Sequence, residues 1–434
     1  MVSEQTRTTT STRIRGSAES TQPPSQHTRA WATRLVTVGI VLTALNLRPA
    51  ITSFGALLED VRDGLGMSGS VAGLLTSVPP LCFAVFGVMA PRLARRFGPG
   101  AVVCAGMVAI TTGLAIRPYT GSAGGFLAAS ALALMGIALS NVLMPVIVKR
   151  WFPDRVGSMT GLYSMALALG TSAAAAVTVP VTDALGGGWQ SGLAVWAGLA
   201  AAAVLPWIAL VRARGADSGD GERTGAAHPV PRDTGGLRIT RSRTAWALAV
   251  FFGLQATAAY ITMGWMAQIF RDAGVSAGTA GLLLAVTMVM GVPLAFVIPR
   301  LATRMSHQGP IVVALGVCGL AGYAGLYLAP AAGAWVWALL LGVSNCAFPL
   351  ALTMVGMRAR TGAGVAQLSA FAQSTGYLIS IPGPLLVGVL YQHSGGWGLP
   401  IALMAALMIP QIAVGVLAGR DRTVEDEAAS GPRP

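Results

Sequence analysis

An arginine lies in the middle of the first long apolar stretch of this sequence, and it is the side chain best suited to chemistry. Arg48 has no acidic residue nearer in the chain than Glu59, and all 16 acidic residues fall in the termini, a central linker, loops or the ends of apolar stretches. A charge at the centre of a bilayer costs about 2.5–3.5 kcal/mol and persists only with a partner or a water-filled cavity. We therefore expect Arg48 to face an internal cavity, where a bound solute supplies the counter-charge. The alternative is a structural arginine bonded to backbone carbonyls around Pro49.

Other polar side chains within apolar stretches are candidates for the same cavity. They are Asn46, Thr52, Asn141, Tyr163, Gln255, Tyr260, Asn345, Gln373 and Tyr377. Thr52, four residues after Arg48, shares its helix face, whereas Asn46, two residues before it, does not. Asn141 and Asn345 occupy matching places in the two halves of the chain, where each amide binds solute or joins neighbouring helices. The others, taken singly, are more often structural.

Motifs of enzymes and of cofactor sites do not occur in this sequence in the context that they need. H-E-x-x-H is absent, and the one lysine, Lys149, follows a valine and so belongs to no phosphate-binding loop. The strings G-x-G-x-x-G at 64–69 and G-x-S-x-G at 274–278 lie between apolar stretches, without the preceding strand that a dinucleotide site or a nucleophile elbow requires. The four cysteines lie in apolar stretches without metal-ligand spacing. We expect neither enzymatic activity nor a cofactor nor a metal site.

The composition excludes a soluble protein. Of the 434 residues, 54% are hydrophobic and only 10% are charged, against about 25% charged residues in soluble domains. The apolar residues come in stretches of roughly 20, the length that crosses a bilayer as a helix. The sequence therefore predicts an all-α integral membrane protein. Its net charge of +13 then reflects loops on one side of the membrane, not a nucleic-acid partner.

Twelve candidate transmembrane helices form two groups of six. We place them near 33–58, 70–91, 100–117, 124–148, 157–181, 190–211, 244–269, 277–299, 310–329, 333–356, 365–391 and 397–418. The predicted organisation is a disordered tail over 1–30, a six-helix bundle over 31–211, a linker over 212–243, a second bundle over 244–419 and a short charged tail over 420–434.

The basic residues predict the orientation of these helices. With the N-terminus in the cytoplasm, 25 of the 29 basic residues fall on the cytoplasmic side and three on the outer side, as the positive-inside rule requires. Both termini are then cytoplasmic. Glu59 and Asp60 lie at the outer mouth, where they are the best acidic candidates for coupling transport to an ion.

The two halves of the chain are related in sequence. Residues 66–96 align without gaps with 274–304, and twelve of the 31 positions are identical. A second match pairs Ser-Asn-x-x-x-Pro at 140–145 with the same pattern at 344–349. Apolar bias alone would not align these polar residues. Two parallel six-helix repeats, with a site between them near the middle of the membrane, are the architecture of the major facilitator fold.

Several segments resemble the cyanate and 2-nitroimidazole permease family of the major facilitator superfamily. They are Asn46–Ser53, Gly73–Pro79, Ser140–Pro145, Gly161–Ser164 and Gly376–Pro384, within a resemblance that extends over about 31–419. The resemblance implies a pseudo-symmetric pair of six-helix bundles. It also implies a small solute. We predict that the chain carries a small polar solute and works as a monomer in the bacterial cytoplasmic membrane.

The loop after the second predicted helix departs from the superfamily's usual motif. Arg95 stands where an acidic residue is expected, so the usual charge relay at the inner face is in doubt, although Arg96 and Gly98 remain candidates for gating. Pro145 and Pro349, four residues after the paired asparagines, are predicted to be matching kinks that let the bundles rock.

The favoured hypothesis is a secondary active or facilitative transporter of a small anion such as cyanate, or of a compact nitro-aromatic, that works by alternating access. A drug or metabolite exporter of the same superfamily is the alternative, because the Gly-Pro stretch over 376–388 mildly resembles exporter motifs. A non-transporting membrane sensor is the third hypothesis. It would need a signalling domain, for which the predicted linker is too short.

Overall fold

The computed structural model describes residues 26–217 and 239–430. Within these segments the chain forms eighteen α-helices and three short 3₁₀ turns, with no strand. The helices are α1 Gln26–Asn46, α2 Pro49–Ala56, α3 Leu58–Gly64, α4 Gly69–Phe97, α5 Pro99–Ile116, α6 Ala123–Trp151, α7 Val156–Ala184, α8 Trp189–Asp217, α9 Arg243–Asp272, α10 Ala277–Val289, α11 Gly291–Thr303, α12 Gly309–Leu328, α13 Ala334–Ser344, α14 Ala347–Met357, α15 Gly362–Ser380, α16 Pro382–Ser394, α17 Gly398–Ala418 and α18 Val424–Ser430.

All twelve predicted membrane helices are present, each long and apolar enough to cross a bilayer. We number them spans 1 to 12. Spans 1, 8, 10 and 11 consist of two helices each (α1 with α2, α10 with α11, α13 with α14, α15 with α16), and the others are, in order, α4, α5, α6, α7, α8, α9, α12 and α17. The residues predicted as the N-terminal tail and the linker lie outside the described residues over 1–25 and 218–238.

The break in span 1 follows from Pro49. Proline lacks an amide hydrogen and clashes with the carbonyl four residues earlier, so α1 ends at Asn46 and α2 begins at Pro49. Arg48, the residue before the proline, lies at the break between the two helices with φ −124° and ψ −25°. The carbonyl of Leu45 packs against Gly170 of span 5, where a Cβ would lie only 2.2 Å from its oxygen. The break therefore depends on a glycine in the neighbouring helix.

The two bundles pack tightly on one side of the membrane. Because the number of spans is even, both described ends of the chain lie on the same side, which we call the terminal face; the opposite side is the distal face. In the distal half, a Cβ on Gly55 of span 1 would lie 2.0 Å from the Met263 carbonyl oxygen, and one on Gly388 of span 11 would lie 2.4 Å from that of Gly69. Glycines thus allow spans 1 and 7, and spans 2 and 11, to close this face.

The segment predicted as a charged tail over 420–434 is partly an ordered helix. In α18 Val424 is 1% exposed, and the Glu427 carboxylate accepts hydrogen bonds from Ser242 and Thr244 at the start of span 7. Burial raises the pKa of Glu427, but these hydrogen bonds outweigh burial and hold the pKa below its usual value. The negative charge lies at the positive end of the α9 dipole. The charged segment predicted over 420–434 thus contains a helix that packs against the start of span 7.

Candidate functional site

Arg48 projects from the break in span 1 into the interface between the two bundles. Its guanidinium carbon lies 6.0 Å from the centre of the Phe83 ring of span 2, which is cation–π distance. The side chain is only partly buried, as expected of a group that lines open space. Helix geometry is interrupted at this residue, so its direction is set by the proline and not by the helical repeat.

Three tyrosines from different spans surround Arg48. The hydroxyls of Tyr163 in span 5, Tyr260 in span 7 and Tyr377 in span 11 are all close enough to interact electrostatically with its charge. Tyr260 is 3% exposed, and its hydroxyl has no hydrogen-bond partner among the described residues. A phenolic hydroxyl can donate as well as accept, so the three form a polar ring that would serve a bound anion and Arg48 alike.

An aromatic stack forms one wall of the site. The rings of Phe83 and Tyr377 are stacked with centres 5.0 Å apart and planes 22° apart. Phe252 of span 7 meets the edge of Tyr377 at 5.2 Å. Because Phe83 belongs to the first bundle and the other two to the second, this contact crosses between the bundles and offers a flat apolar surface beside the charge.

Asn141 and Gln373 extend the polar side of the site. The Tyr163 hydroxyl donates a hydrogen bond to the side-chain oxygen of Asn141 in span 4. Gln373, one helical turn before Tyr377, donates to the Ser369 hydroxyl at 2.8 Å. Both amides are partly exposed and keep donors free for a solute.

Arg48 has no carboxylate partner in the described parts of the chain, where each ion pair joins other residues. A guanidinium that meets only phenols and an aromatic ring within the membrane keeps most of its charge uncompensated. In a low-dielectric interior such a charge strongly attracts an anion or the oxygens of a nitro group. The arrangement can therefore bind a flat solute that carries negative oxygens at one edge.

Two of the predicted residues on span 1 face away from this cluster. The Asn46 amide nitrogen donates to the carbonyls of Leu42 at 2.7 Å and of Leu199 in span 6 at 3.2 Å. The Thr52 hydroxyl donates to the Arg48 carbonyl at 3.3 Å and is fully buried. The break at Leu47 and Arg48 upsets the simple helical spacing on which the Thr52 prediction rested. Neither residue belongs to the site that we describe.

Gln255 and Asn345 lie together in a different cavity, inside the second bundle. Gln255 is five residues before Tyr260, and this spacing turns it to the other side of span 7. The matching asparagines of the two halves thus occupy unlike places, since Asn141 joins the Arg48 cluster through Tyr163 and Asn345 does not.

Glu59 and Asp60 lie at the distal face and pair with Arg271 at the end of span 7. The Arg271 guanidinium is 2.9 Å from Asp60 and 3.0 Å from Glu59. Nearby, the Asp272 carboxylate accepts hydrogen bonds from Tyr391 and Trp397 of the second bundle. The acidic pair is therefore a bridge between the bundles at the closed face.

A model of the Major Facilitator Superfamily matches residues 38–381 of this chain. The chain belongs to the major facilitator superfamily. It is 34% identical over 409 residues to the uncharacterised transporter YycB of Bacillus subtilis (92% of this chain, 97% of that protein). It is 33% identical over 392 residues to the 2-nitroimidazole transporter of Escherichia coli (89% and 95%). It is also 30% identical over 375 residues to the cyanate transport protein CynX of Escherichia coli (85% and 94%).

These likenesses confirm the family predicted from the sequence motifs. The predicted fold of twelve membrane helices is confirmed as well. The solved structure of the nucleoside transporter NupG aligns with a TM-score of 0.70 at 13% identity, over 89% of this chain and 98% of that one. This major facilitator is a multi-pass membrane protein of a family that transports small solutes.

The gating candidates of this major facilitator lie at its terminal face, away from Arg48. Arg96 is exposed at the end of span 2 with its guanidinium carbon 5.2 Å from the Phe97 ring. Gly98 turns the chain into span 3 with a φ of +81°, a conformation that glycine adopts most easily.

The two prolines predicted to be matching kinks lie in different helical settings. Pro145 lies within the unbroken α6, whereas span 10 is interrupted at Asn345 and Cys346, just before Pro349. At this break the Cys346 amide donates a hydrogen bond to the Val343 carbonyl, and the Cys346 thiol lies 3.4 Å from the Gly342 carbonyl oxygen. Val142, the aligned residue in span 4, has no such side-chain donor.

Three residues at or near the site were not predicted from the sequence. Phe83 and Phe252 gave no signal, because an aromatic residue in an apolar stretch looks like any other core residue. Arg117 is one of the three basic residues on the predicted outer side. It is 2% exposed and donates to the Ala50 carbonyl of α2 at 2.9 Å and to the Ser53 hydroxyl at 3.3 Å. It anchors the helix that begins next to Arg48, and only its closeness to the end of span 3 could have marked it.

Proposed function

We propose that this protein carries a small planar anion, or a compact nitro-aromatic, across the membrane by alternating access. The observation that supports the proposal is Arg48, a membrane-embedded guanidinium that no carboxylate of the described residues neutralises. Negative oxygens of the solute lie on Arg48 and the surrounding hydroxyls, and its flat face lies on Phe83 and Tyr377. The relatives known as a 2-nitroimidazole transporter and a cyanate transport protein support such a solute.

Alternating access requires that the two faces open in turn around this site. The distal face is closed by the Gly55 and Gly388 contacts and by the Arg271 ion pairs. Transport then requires these contacts to separate while the terminal face closes, with Arg96 and Gly98 acting there. Glu59 and Asp60 pair with Arg271. This pairing supports a role for the two acidic residues in closing the distal face more than a role in ion coupling.

We further propose that the terminal face is cytoplasmic and that the protein works as a monomer in a bacterial cytoplasmic membrane. The basic residues support this orientation, because 25 of 29 fall on that side. A reporter fused to the C-terminus, active only in the cytoplasm, tests the orientation. A C-terminal reporter that is fluorescent only in the cytoplasm is expected to give a signal. Activity of a C-terminal reporter that works only in the periplasm would instead place the terminal face outside the cytoplasm.

The decisive experiment is uptake of 2-nitroimidazole and of cyanate into proteoliposomes. Arg48→Ala is expected to lower transport roughly 100-fold, and Arg48→Lys to retain part of it, because lysine keeps the charge but loses the planar fork. Arg92→Gln, which removes an exposed arginine at the end of span 2, serves as the control. Transport like that of the wild type by both Arg48 variants would refute the proposed site.

An exporter is distinguished by the direction of net flux. Right-side-out and inverted vesicles are compared under the same solute gradient and proton gradient. Accumulation only in inverted vesicles would identify an exporter with the same site. Absence of flux in both, with solute binding retained, would favour a sensor.

A further inference from the structure

The ends of spans 9 and 12 meet at the terminal face through two glycines. The Gln308 amide donates a hydrogen bond to the Gly419 carbonyl at 3.0 Å, and a Cβ on Gly419 would lie 3.0 Å from the Gly309 nitrogen. Beside this junction the two helices leave a groove of about 520 Å³. Ligand sites in proteins have volumes of about 300–1,000 Å³, so the groove is large enough to hold a molecule.

The walls of the groove are apolar and face the lipid. Pro310, Val313 and Ala314 form a stripe along span 9, and Val416 lies opposite on span 12. Val313 is 41% exposed, and Pro310 and Ala314 are exposed as well. Span 9 packs mainly against spans 10 and 12, which belong to its own bundle. The exposed stripe is therefore on the outer surface of the second bundle, where hydrocarbon chains of the bilayer cover it.

The mouth of the groove, at the terminal face, is basic. His307 and Arg420 line it, and the lining contains no acidic residue. Arg420 is exposed and forms no ion pair with the described residues. The next residue, Asp421, lies 3.7 Å from the Arg358 guanidinium instead. The amino end of α12, which carries the positive partial charge of the helix dipole, lies at the same mouth.

The opposite dipole of span 12 does not cancel this charge. Arg358 is 1% exposed and donates to the carbonyls of Ala418 at 3.0 Å and of Gly419 at 2.8 Å. The free carbonyls in the last turn of α17 therefore already contact a guanidinium. The electrostatic potential at the mouth stays positive, because its exposed arginine remains without a counter-charge from the described residues.

An apolar groove that ends in basic side chains matches the polarity of a phospholipid. One acyl chain fits along the apolar stripe, while Arg420 and a ring nitrogen of His307 can donate hydrogen bonds to the phosphate. The choline or ethanolamine group of a neutral phospholipid would add a positive charge beside Arg420. Basic pockets between membrane helices bind anionic headgroups. We propose that this groove is a binding site for one anionic phospholipid of the phosphatidylglycerol type.

A lipid in this groove joins two parts of the second bundle. His307 belongs to the loop after span 8, and Arg420 follows the end of span 12. A phosphate bound to both residues holds this loop against the end of span 12 and so stabilises the terminal-face end of the bundle. The proposal does not depend on the solute that binds at Arg48.

The test is the binding of phosphatidylglycerol and of phosphatidylcholine with identical acyl chains to the purified full-length protein in a neutral detergent, measured by native mass spectrometry. Phosphatidylglycerol is expected to bind at least about fivefold more tightly and to raise the unfolding temperature by roughly 2 °C. Arg420→Gln should lower the affinity for phosphatidylglycerol about fivefold and leave that for phosphatidylcholine unchanged. Ala314→Phe, which places a ring in the groove, should weaken the binding of both lipids. Arg92→Gln, which removes an exposed arginine of the first bundle, is the control and should bind like the wild type.

Equal affinity for the two lipids would overturn the proposal, because the groove would then hold any membrane lipid. A preference for phosphatidylglycerol that survives both Arg420→Gln and Ala314→Phe would overturn it as well, since the lipid would then bind elsewhere. Inorganic phosphate is added without lipid in a third arm. If it raises the unfolding temperature as much as phosphatidylglycerol does, the basic mouth binds a soluble anion and the proposal is wrong. Both variants change exposed residues, and their unfolding temperatures in detergent alone show whether the protein is intact.

Discussion

The Asp60 carboxylate lies 2.9 Å from the Arg271 guanidinium, 211 residues further along the chain. The first residue follows span 1 and the second ends span 7, so the pair joins the two bundles at the distal face. Both side chains are partly exposed, and exposed ion pairs contribute at most about 1 kcal/mol each. A gate of this strength can hold a face closed and still open thermally.

Breaking this pair is expected to shift the protein toward a state that is open at the distal face. In Asp60→Asn the open population should rise about two- to five-fold, as about 0.5–1 kcal/mol predicts. Spin labels on exposed Asp63→Cys and Ser394→Cys, in a background without native cysteines, report the distance across the face. The charge swap of Asp60→Arg with Arg271→Asp should restore closure. If the double variant shifts the open population by the sum of the shifts of the two single variants, Asp60 and Arg271 do not interact energetically.

Gly55 is expected to be essential for closing the same face. In Gly55→Ala the new Cβ would lie 2.0 Å from the Met263 carbonyl oxygen, so spans 1 and 7 must separate. We expect transport to fall at least about tenfold, together with a longer distance between the two spin labels. Gly278→Ala is the matched control, because a Cβ at this distal position has no neighbour within 4 Å. Normal transport by Gly55→Ala would contradict the closure mechanism.

Tyr260→Phe is expected to weaken solute binding without unfolding the protein. The change removes only the hydroxyl next to Arg48, and one hydrogen bond is worth about 0.5–1.5 kcal/mol. The dissociation constant should therefore rise about two- to ten-fold, as measured by equilibrium binding of 2-nitroimidazole. Tyr327→Phe removes an exposed hydroxyl in span 9 and should bind like the wild type. An unchanged affinity in Tyr260→Phe would place the solute away from this tyrosine.

The docking of α18 is expected to depend on pH through Glu427. Its pKa in the folded protein is lowered, so the ionised carboxylate stabilises the fold fully above the ordinary glutamate pKa of about 4.3. That stabilisation disappears as the pH falls through the lowered value. Glu427→Gln should therefore unfold at a lower temperature than the wild type at pH 7, and the difference should vanish in acid. Asp154→Asn, at an exposed turn, is the control, and a difference that is constant with pH would contradict this assignment.

The sequence alone predicts the membrane class, the twelve spans and the two related halves. These features depend on local properties, namely the length of apolar stretches, the place of basic residues and the repeat at 66–96 and 274–304. Arg48 was also identifiable in advance, since a charge far from either membrane surface is costly wherever its helix lies.

Only the tertiary structure decided which side chains meet Arg48. Phe83, Tyr163, Tyr260 and Tyr377 come from four different spans, and no spacing along one helix brings them together. The break at Pro49 and the glycine contacts set how the spans approach and rotate. They turn Asn46 toward span 6 and leave Asn345 in a separate cavity. Polarity and position in the sequence do not report helix rotation, because that is set by packing between helices distant in the chain.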